Sequence, residues 1–382
     1  MNIIYISPSF LPSDSANSIH VLNQVQAIAK KGHKVTLFAA RNIFRKKIFE
    51  NALYEKYFPL SNNIKLSTIF SISNRSIEFF IALDSIIKLI FSRSKYIISR
   101  NLYASLFLSL SPSKNHIYEM HEILYGVRGQ IQKFIINNKN VKLLCISKSL
   151  ANDVRNIFCL NNRQINILHD AAPSFIEPVP AFKKRKVLFK YIGDKSYSSN
   201  FICVYSGAIQ KGRGIEIINE LAMLNKNVLF LVVGGSAEDL RLFYLDNIAK
   251  SNLIFLGRRN YRESLLIASC ADILLMPYQN KVLINNLLRD TSRWMSPLKM
   301  FEYMAMKNPI ISSDVSVLKE ILIDRKNALL VPPDNINSWS NALNLLIKNN
   351  YLREELSINA RNSFLNNYSW DKRGENLLSL YD

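Results

Sequence analysis

The chain has 382 residues, of which 48% are hydrophobic, with 11 glycines and 12 prolines. This composition excludes a disordered protein, and the length exceeds one ordinary hydrophobic core, so we expect two domains of roughly 170–200 residues each. The 4 cysteines follow no C-x-x-C spacing, which argues against a zinc site or a disulfide framework and favours free thiols in a reducing compartment.

The formal net charge of +20 is concentrated in the first part of the chain. Residues 1–170 contain 22 Lys and Arg against 9 Asp and Glu, or +13, whereas the remaining 212 residues contain 27 against 20, or +7. A basic first domain fits an anionic membrane surface or a phosphorylated acceptor, since each basic residue near such a membrane contributes about 1 kcal/mol. Compositional drift toward lysine is the simpler alternative. No DNA- or RNA-binding signature accompanies the charge, so we expect no nucleic acid partner.

The first elements along the chain alternate between strand and helix. An apolar strand is predicted for Met1–Ser7, an amphipathic helix for Ile19–Lys31 and a second strand for Lys34–Ala39. The first ten residues lack a basic segment, so they predict this strand and no signal peptide. The order is that of a βαβ unit with a parallel sheet.

The most apolar window of the chain is Ile77–Phe91. It contains Glu78, Asp84 and Lys88. These charges predict a core or surface helix rather than a membrane span.

Two later strands of the first half end at polar or ionisable residues. They are Tyr96–Arg100 and His116–Glu122, and the second ends in a Glu-x-His-Glu group. Open α/β sheets bind ligands at the carboxyl ends of their strands, so Arg100 and His121 are candidate site residues. The alternative for His121 is a satisfied core histidine.

A change of pattern marks the middle of the chain. Residues 174–200 lose clear periodicity and include the basic run Lys183–Lys186. We interpret them as a linker that contains one short basic helix.

The second half opens with a strand, Phe201–Gly207, and a turn rich in glycine and basic residues, Lys211–Gly214. Glycines allow close backbone approach, and Lys211 and Arg213 supply positive charge, so the turn predicts a cradle for a diphosphate. Three further apolar runs predict strands: Val228–Gly235, Asn252–Gly257 and Ala271–Tyr278.

The most informative stretch, residues 296–333, predicts turn, helix, strand, turn, helix and strand in that order. Ser296 offers an N-cap, and Pro297 suits the first helical position. Unpaired N–H groups at a helix N-terminus can bind an anion, and Lys299 and Glu302 lie on one side of this first turn. The stretch therefore predicts a site for phosphate and hydroxyl groups.

The sequence SPLKMFEYMAMKNPIISSDVSVLKEIL in this stretch resembles the donor-binding segment of the retaining GT-B glycosyltransferases of glycosyltransferase family 4. In that family two glutamates are separated by seven residues, and the second opens an E-x-M-A sequence, which here is Glu302–Ala305. Pro297-Leu298-Lys299 takes the place of the family's Gly-Leu-Pro loop. The first glutamate is absent, because its position is Trp294, and the nearest upstream carboxylate is Asp290.

Other segments extend the resemblance along nearly the whole chain. Ile28–Val35 is similar to the family's L-A-x-x-G-H-x-V, and Ser15–Ser18 replaces the Gly-Gly turn before that helix. Arg213-Gly214 takes the place of the family's Lys-Gly. The family also has a histidine after a strand that contacts the donor sugar, and His121 matches it better than His116.

The resemblance implies a fold and a division of the chain. The fold class is α/β, GT-B, with two Rossmann-like domains facing across a cleft. Residues 1–173 are expected to form the acceptor-side domain, 174–200 the linker, and 201–365 the domain that binds the nucleotide-sugar. Residues 366–382 are expected to form a C-terminal helix that crosses back to the first domain.

The resemblance also implies site residues. His121, Glu302 and Lys299 are expected to be catalytic, with no metal ion and no cofactor. Acceptor binding is expected from Asn17, His20 and Arg100. The expected donor-binding residues are Gly207, Lys211, Arg213, Gly235, Arg258, Ser296, Pro297, Leu298, Lys299 and Glu302.

The implied function is transfer of a sugar, with retention, from a nucleotide-sugar donor to a hydroxyl of a glycan or lipid-linked acceptor. The expected setting is bacterial surface polysaccharide or lipopolysaccharide synthesis, in the cytoplasm and peripheral at the inner face of the cytoplasmic membrane. One alternative is a nucleotide-sugar epimerase of the same fold. Another is a non-catalytic protein that binds a nucleotide-sugar or an anionic surface, which Trp294 and Ala208 favour because each replaces a charged family residue. The sequence names neither the sugar, nor the base, nor the acceptor.

Overall fold

The computed structural model of the chain divides into two units. The first unit comprises Met1–Asp170 and Trp370–Asp382, and the second comprises Ala171–Ser369. The residues that the structure describes are 1–11, 13, 15–42, 61–71, 77–92, 94–111, 113–160, 163–193, 200–246, 252–284 and 287–382.

A seven-stranded parallel sheet forms the centre of the first unit. Its strands are β1 Asn2–Phe10, β2 Lys34–Asn42, β3 Ile64–Ser71, β4 Tyr96–Ser99, β5 Asn115–Met120, β6 Val141–Cys145 and β7 Ile165–Ile167. They lie in the order β3-β2-β1-β4-β5-β6-β7, so the winding of the chain reverses between β1 and β4. A ligand site is expected at the carboxyl ends of these two strands.

Five helices lie in the described part of the first unit and connect strands of this sheet. They are α1 Ala16–Lys30, α2 Ile77–Ile90, α3 Leu102–Ser109, α4 Gly126–Asn137 and α5 Lys148–Ile157. Helix α1 begins earlier than the predicted Ile19, because the side chain of Ser15 accepts a hydrogen bond of 3.2 Å from the Ser18 N–H and caps the helix at Ala16. Strand β1 likewise continues past the predicted end at Ser7.

A six-stranded parallel sheet forms the centre of the second unit. Its strands are β8 Phe201–Ser206, β9 Val228–Val233, β10 Leu253–Gly257, β11 Ile273–Met276, β14 Ile310–Ser313 and β15 Leu329–Val331, and a separate hairpin is formed by β12 Leu283–Ile284 and β13 Leu287–Asp290. The order β10-β9-β8-β11-β14-β15 again reverses once, here between β8 and β11.

Seven helices lie among the described residues of the second unit. They are α6 Ala181–Ile192, α7 Ile215–Leu224, α8 Ala237–Asp246, α9 Tyr261–Ser269, α10 Leu298–Ala305, α11 Ile336–Lys348 and α12 Asn350–Asn367. Helix α6 is the basic helix predicted within residues 174–200. Its Leu188 is fully buried in the hydrophobic core of the second unit, together with Ile176, while residues 194–199 lie outside the described part of the chain.

Two details of residues 296–333 differ from the prediction. Pro297 is the N-cap of α10 and not its first helical residue, because its ψ of 124° is extended, and no side chain caps this helix. The predicted second helix is only a 3₁₀ turn, Leu318–Glu320. The helix and two strands of the predicted order are present as α10, β14 and β15.

The C-terminal helix, α13 Trp370–Leu378, and a 3₁₀ turn, Ser379–Tyr381, belong to the first unit. Gly374 of α13 lies against α1, where a Cβ on this glycine would lie 3.1 Å from the Cβ of Ala27. In the described part of the chain, no helix has the length and apolar composition needed to span a bilayer.

Candidate functional site

Glycines lie at the carboxyl ends of three adjacent strands of the second unit. The N–H of Gly207, after β8, donates to the carbonyl of Val233 at 2.9 Å, and the N–H of Gly234, after β9, donates to the carbonyl of Gly257 at 2.9 Å. A Cβ on Gly234 would lie 2.0 Å from the Gly207 carbonyl oxygen. Since side chains cannot fit there, the carboxyl edge of β8 and β9 presents bare backbone.

Lys299, in the first turn of α10, extends its ammonium group to this glycine edge. A Cβ on Gly207 would lie 2.6 Å from the Lys299 Nζ. The Nζ lies 3.9 Å from the ring centroid of Tyr205 and 5.1 Å from that of Tyr278. Burial, together with the charge of Arg213, holds the pKa of Lys299 well below its usual value.

Arg213 supplies a second cation at the same place. Its Nη1 donates to the Tyr278 hydroxyl at 3.1 Å, and its guanidinium lies 5.4 Å from the Tyr278 ring centroid. Its Nε is buried and has no hydrogen-bond partner among the described residues. Neither Arg213 nor Lys299 forms an ion pair in the part of the chain that the structure describes. Two basic side chains thus converge on bare backbone, and a diphosphate bound there would favour the charged form of both.

Glu302 follows Lys299 by one turn of α10. Its carboxylate accepts a hydrogen bond of 2.7 Å from the Tyr261 hydroxyl. Burial raises the pKa of Glu302 to about 7, against the opposing effects of Tyr261 and Lys299. Near neutral pH this carboxyl group can therefore either accept or donate a hydrogen bond to a sugar hydroxyl.

The remaining predicted donor residues have different degrees of exposure. Ser296 and Leu298 are buried, whereas Lys211 and Arg258 are exposed. Gly235 has a φ of 79°, which only glycine adopts readily.

Asp290 does not replace the missing first glutamate. Its Oδ1 accepts hydrogen bonds of 2.9 Å from the N–H groups of both Val282 and Ser292, at the base of the β12–β13 hairpin. This carboxylate holds the hairpin together.

In the first unit, Glu119 near the end of β5 is the centre of a buried polar network. Its carboxylate oxygens lie close to four side chains: Arg373 Nη2 at 2.9 Å, His20 Nε2 at 3.0 Å, the Tyr5 hydroxyl at 3.0 Å and His121 Nε2 at 3.3 Å. Burial alone would raise the pKa of Glu119, but Arg373 and His20 outweigh it and keep the pKa well below its usual value.

His20, predicted to contact an acceptor, is buried within this network. Its Nδ1 lies 2.8 Å from Asp170 Oδ1, and its ring packs edge-on against Trp370 with a centroid distance of 5.0 Å. Both ring nitrogens thus face carboxylates of the protein. We therefore assign His20 a positioning role beside His121, whose ring centroid is 5.1 Å away.

The ligand atoms of His20, Glu119 and His121 lie within 4.8 Å of one another, close enough for a metal site. However, Arg373 lies 2.9 Å from Glu119 and would repel a metal cation there. Burial and the charge of Arg100 lower the pKa of His121 to about 4, so its ring is neutral at physiological pH. We interpret the group as a support for a neutral His121 ring.

Three of the predicted residues, Asn17, Arg100 and His121, line one pocket of about 200 Å³ in the first unit. Arg100 follows β4 directly, and Asn17 lies in the first turn of α1, after β1. The pocket therefore lies at the reversal between β1 and β4, where the topology predicts a ligand site. His20 is not part of its lining.

Residues 194–363 match the family model of glycosyl transferases group 1. The matched segment lies within the second unit. The cradle of Gly207, Arg213, Lys299 and Glu302 therefore lies within the part of the chain that matches this family.

The comparisons with whole proteins extend beyond the second unit. An uncharacterised glycosyltransferase of Methanocaldococcus jannaschii is 26% identical over 246 residues, which are 62% of this chain and 57% of that protein. Among solved structures, HepE of Anabaena in complex with UDP-glucose has a TM-score of 0.69 at 13% identity, covering 100% of this chain and 99% of HepE. WaaG, a glycosyltransferase involved in lipopolysaccharide biosynthesis, has a TM-score of 0.68 at 14% identity, covering 99% of each chain. These structures show that the fold is GT-B, with one Rossmann-like sheet in each unit.

Several residues of these sites were missed by the sequence analysis. Tyr205 and Tyr278 place the Lys299 ammonium, and Tyr261 binds Glu302, although each reads as an ordinary core aromatic. Arg373 binds Glu119 from the other end of the chain, and no local pattern indicates such a pair. The position of Tyr278 at the end of the predicted strand Ala271–Tyr278 was an available signal.

Proposed function

We propose that the protein is a retaining glycosyltransferase that transfers a sugar from a nucleotide-sugar to a hydroxyl group of a glycan or lipid-linked acceptor. The observation that carries the proposal is the pair of cations, Lys299 and Arg213, at the glycine edge of the domain that contains the match to the group 1 family. HepE, whose structure was solved with UDP-glucose, supports a nucleotide-sugar as donor.

The cation pair supplies what the reaction needs. Negative charge builds up on the leaving diphosphate, and preorganised cations stabilise it without rearranging during the reaction. We assign this role to Lys299 and Arg213, with the N–H groups at the start of α10. No step of this scheme requires a metal ion or a cofactor.

The remaining roles follow from position. Glu302 is assigned to the hydroxyl groups of the nucleotide ribose, as the resemblance to glycosyltransferase family 4 implies. His121 is assigned to the donor sugar, and its low pKa keeps it available as a neutral hydrogen-bonding ring. Gly235 and Arg258 are assigned to the nucleoside base, because they follow β9 and β10.

A titration with UDP, GDP, ADP and CMP, each free and sugar-linked, tests the donor site. One of them should stabilise the protein against heat, because a ligand at about 100 times its Kd adds about 2.7 kcal/mol. Arg213→Met should weaken that binding about ten- to a hundredfold, the loss expected for a charge-assisted hydrogen bond. The control is Lys226→Met, which removes one exposed cation of the same unit.

Failure of every nucleotide to bind, or equal binding by Arg213→Met and the unaltered protein, would contradict the donor site. Binding without slow donor hydrolysis or transfer would favour the non-catalytic alternative. Conversion of the donor sugar to its epimer in the absence of an acceptor would favour the epimerase.

We further propose that the first unit docks on the anionic inner face of the cytoplasmic membrane. Helix α2 and the residue after it carry six exposed large apolar side chains: Phe79, Phe80, Leu83, Ile87, Ile90 and Phe91. Their spacing puts them on one helical face, opposite the buried Ile81 and Leu89. Such a surface marks an interaction site.

The neighbouring helices carry further exposed apolar side chains. Helix α3, which contacts α2, adds Phe107 and Leu110, and α4, which contacts α3, adds Val127 and Phe134. The net charge of +13 over residues 1–170 complements anionic lipid. The name of WaaG supports lipopolysaccharide or a related surface polysaccharide as the setting of the reaction.

Sedimentation with phosphatidylcholine vesicles, with or without about one third phosphatidylglycerol, tests this docking surface. The protein should sediment with the anionic vesicles and less so at high salt. The double variant Phe80→Ser/Leu83→Ser should stay in the supernatant, whereas Leu224→Ser, at an exposed apolar position of the second unit, should sediment normally. Absence of sedimentation with anionic vesicles, or a concentration-dependent dimer that the double variant abolishes, would overturn the membrane proposal.

A further inference from the structure

The pocket of the first unit borders polar atoms that the protein leaves unsatisfied. The Nε and Nη1 of Arg100 and the Oδ1 of Asn17 are buried and have no hydrogen-bond partner among the described residues. Both residues line the pocket. A buried cation without a counter-charge is unfavourable, so the pocket is electrostatically incomplete.

The other charged residues around the pocket have partners. Arg128 binds Glu78 at 2.7 Å, and Arg373 binds Glu119 at 2.9 Å. Glu122 also borders the pocket and is not free. Arg100, by contrast, forms no ion pair in the described part of the chain. The pocket therefore contains an uncompensated positive charge, which an anionic ligand would neutralise.

The unsatisfied atom of Asn17 has the opposite requirement. Its Oδ1 is an acceptor, so it needs a donor such as a hydroxyl group. A group that satisfies both residues carries a negative charge and at least one hydroxyl.

The volume limits how much of a ligand fits. At about 200 Å³ the pocket is smaller than the roughly 300–1,000 Å³ of sites that enclose drug-sized molecules. It suits one terminal unit of an acceptor rather than a long oligosaccharide.

We propose that this pocket binds a terminal sugar unit of the acceptor that carries an anionic group, either a phosphate or a carboxylate, with Arg100 as its counter-charge and Asn17 as the acceptor of a sugar hydroxyl. This inference rests on the proposed glycosyl transfer and narrows its acceptor class to phosphorylated or acidic sugars. The two sources of negative charge share the chemistry that Arg100 recognises.

Three probes of similar size separate the possibilities: glucose 6-phosphate, glucuronate and glucose. Their affinities are measured by calorimetry at constant ionic strength. The protein should bind at least one charged probe about tenfold or more tightly than glucose, the gain expected for a charge-assisted hydrogen bond. The tighter of the two charged probes identifies the anionic group.

Variants assign this preference to Arg100. Arg100→Gln should bind all three probes equally, and Arg100→Lys should keep part of the preference. Lys95→Gln removes an exposed cation just before β4 and should leave the preference unchanged. Asn17→Ala should weaken all three probes by a similar factor.

A measurement on the unaltered protein covers the case in which Arg100→Gln does not fold. The charge of Arg100 helps to lower the pKa of His121, so an anion beside Arg100 should raise that pKa. The NMR titration of His121, one of 5 histidines, reports this with and without glucose 6-phosphate and glucuronate.

Equal affinities for all three probes in the unaltered protein, or a preference that survives Arg100→Gln, would overturn the inference. A loss of nucleotide affinity in Arg100→Gln would also overturn it, since Arg100 would then serve the donor. These results differ from a failure of the proposed glycosyl transfer, which would appear as the absence of nucleotide binding by the unaltered protein.

Discussion

Each unit buries a glutamate beside its candidate site, but the two glutamates have different surroundings. Glu119 has four polar partners within 3.3 Å and a pKa well below its usual value. Glu302 has one hydroxyl partner, from Tyr261, and a pKa raised to about 7. The charge of Glu119 is compensated within the protein by Arg373, whereas Lys299 and Arg213 beside Glu302 form no ion pair among the described residues. Compensation of charge within the protein thus distinguishes a structural network from a ligand site.

The largest expected effect comes from breaking the ion pair between Arg373 and Glu119. Arg373→Met leaves the buried Glu119 carboxylate without its cation, which should lower the free energy of unfolding of the first unit by about 3–5 kcal/mol. Native-state hydrogen exchange at the β5 amides measures that unit alone. The neighbouring variant Lys372→Met removes a cation that pairs with Glu375 at the surface, where solvent screens the charges, and should cost much less. Equal losses in the two variants would contradict the central role of Glu119.

An intermediate effect is expected at Glu302. Its pKa is about 7 in the folded protein against 4.5 unperturbed, so the folded state binds more protons between these values and stability falls as the pH rises through them. Glu302→Gln removes the ionisable group and with it this loss of stability at higher pH. Relative to the unaltered protein, the variant should gain about 2–3 kcal/mol between pH 4.5 and pH 8.

Calorimetric unfolding at several pH values tests this prediction. Glu216→Gln removes an exposed carboxylate of the same unit and should show no such gain. If Glu302→Gln tracks the unaltered protein at every pH, then the carboxylate of Glu302 is already stabilised within the protein, and the contrast with Glu119 disappears.

The smallest expected effect concerns a second buried ionisable residue of the first unit, His116. His116 lies on the same strand as Glu119 but is buried, and neither ring nitrogen has a hydrogen-bond partner among the described residues. Burial lowers its pKa to about 3. Stability should therefore fall as the pH drops below about 6.5, because the unfolded chain takes up the proton first. His116→Leu should raise stability by about 1 kcal/mol at pH 7 and by more at pH 5. A destabilised variant would indicate that the ring has an essential packing role.

The sequence predicted the six strands of the second unit's sheet because buried parallel strands are continuous apolar runs, as in Val228–Val233, but it missed β3 of the first unit. It also located Lys299 and Glu302, since both lie on one turn of one helix. The partners of these residues come from elsewhere in the chain. Tyr261 reaches Glu302 across 41 residues, and Arg373 reaches Glu119 across 254, so only the folded structure brings them together.

The same limit explains the error at Pro297. Local preference favours proline at the first helical position, but here the extended backbone of this residue makes it the N-cap. The pocket at Arg100 and Asn17 likewise depends on the order of β1 and β4 in the sheet, which local patterns do not determine.

The most direct test of the central claim is the number of protons taken up when a nucleoside diphosphate binds. Calorimetry at pH 9, in buffers with different ionisation enthalpies, counts them under conditions where Glu302 is already ionised. We expect tight binding of one nucleoside diphosphate with proton uptake, because an anion beside Lys299 raises its depressed pKa. Lys299→Met should abolish the uptake. Binding without proton uptake, or the same uptake in Lys299→Met, would show that Lys299 does not gain a proton when the anion binds.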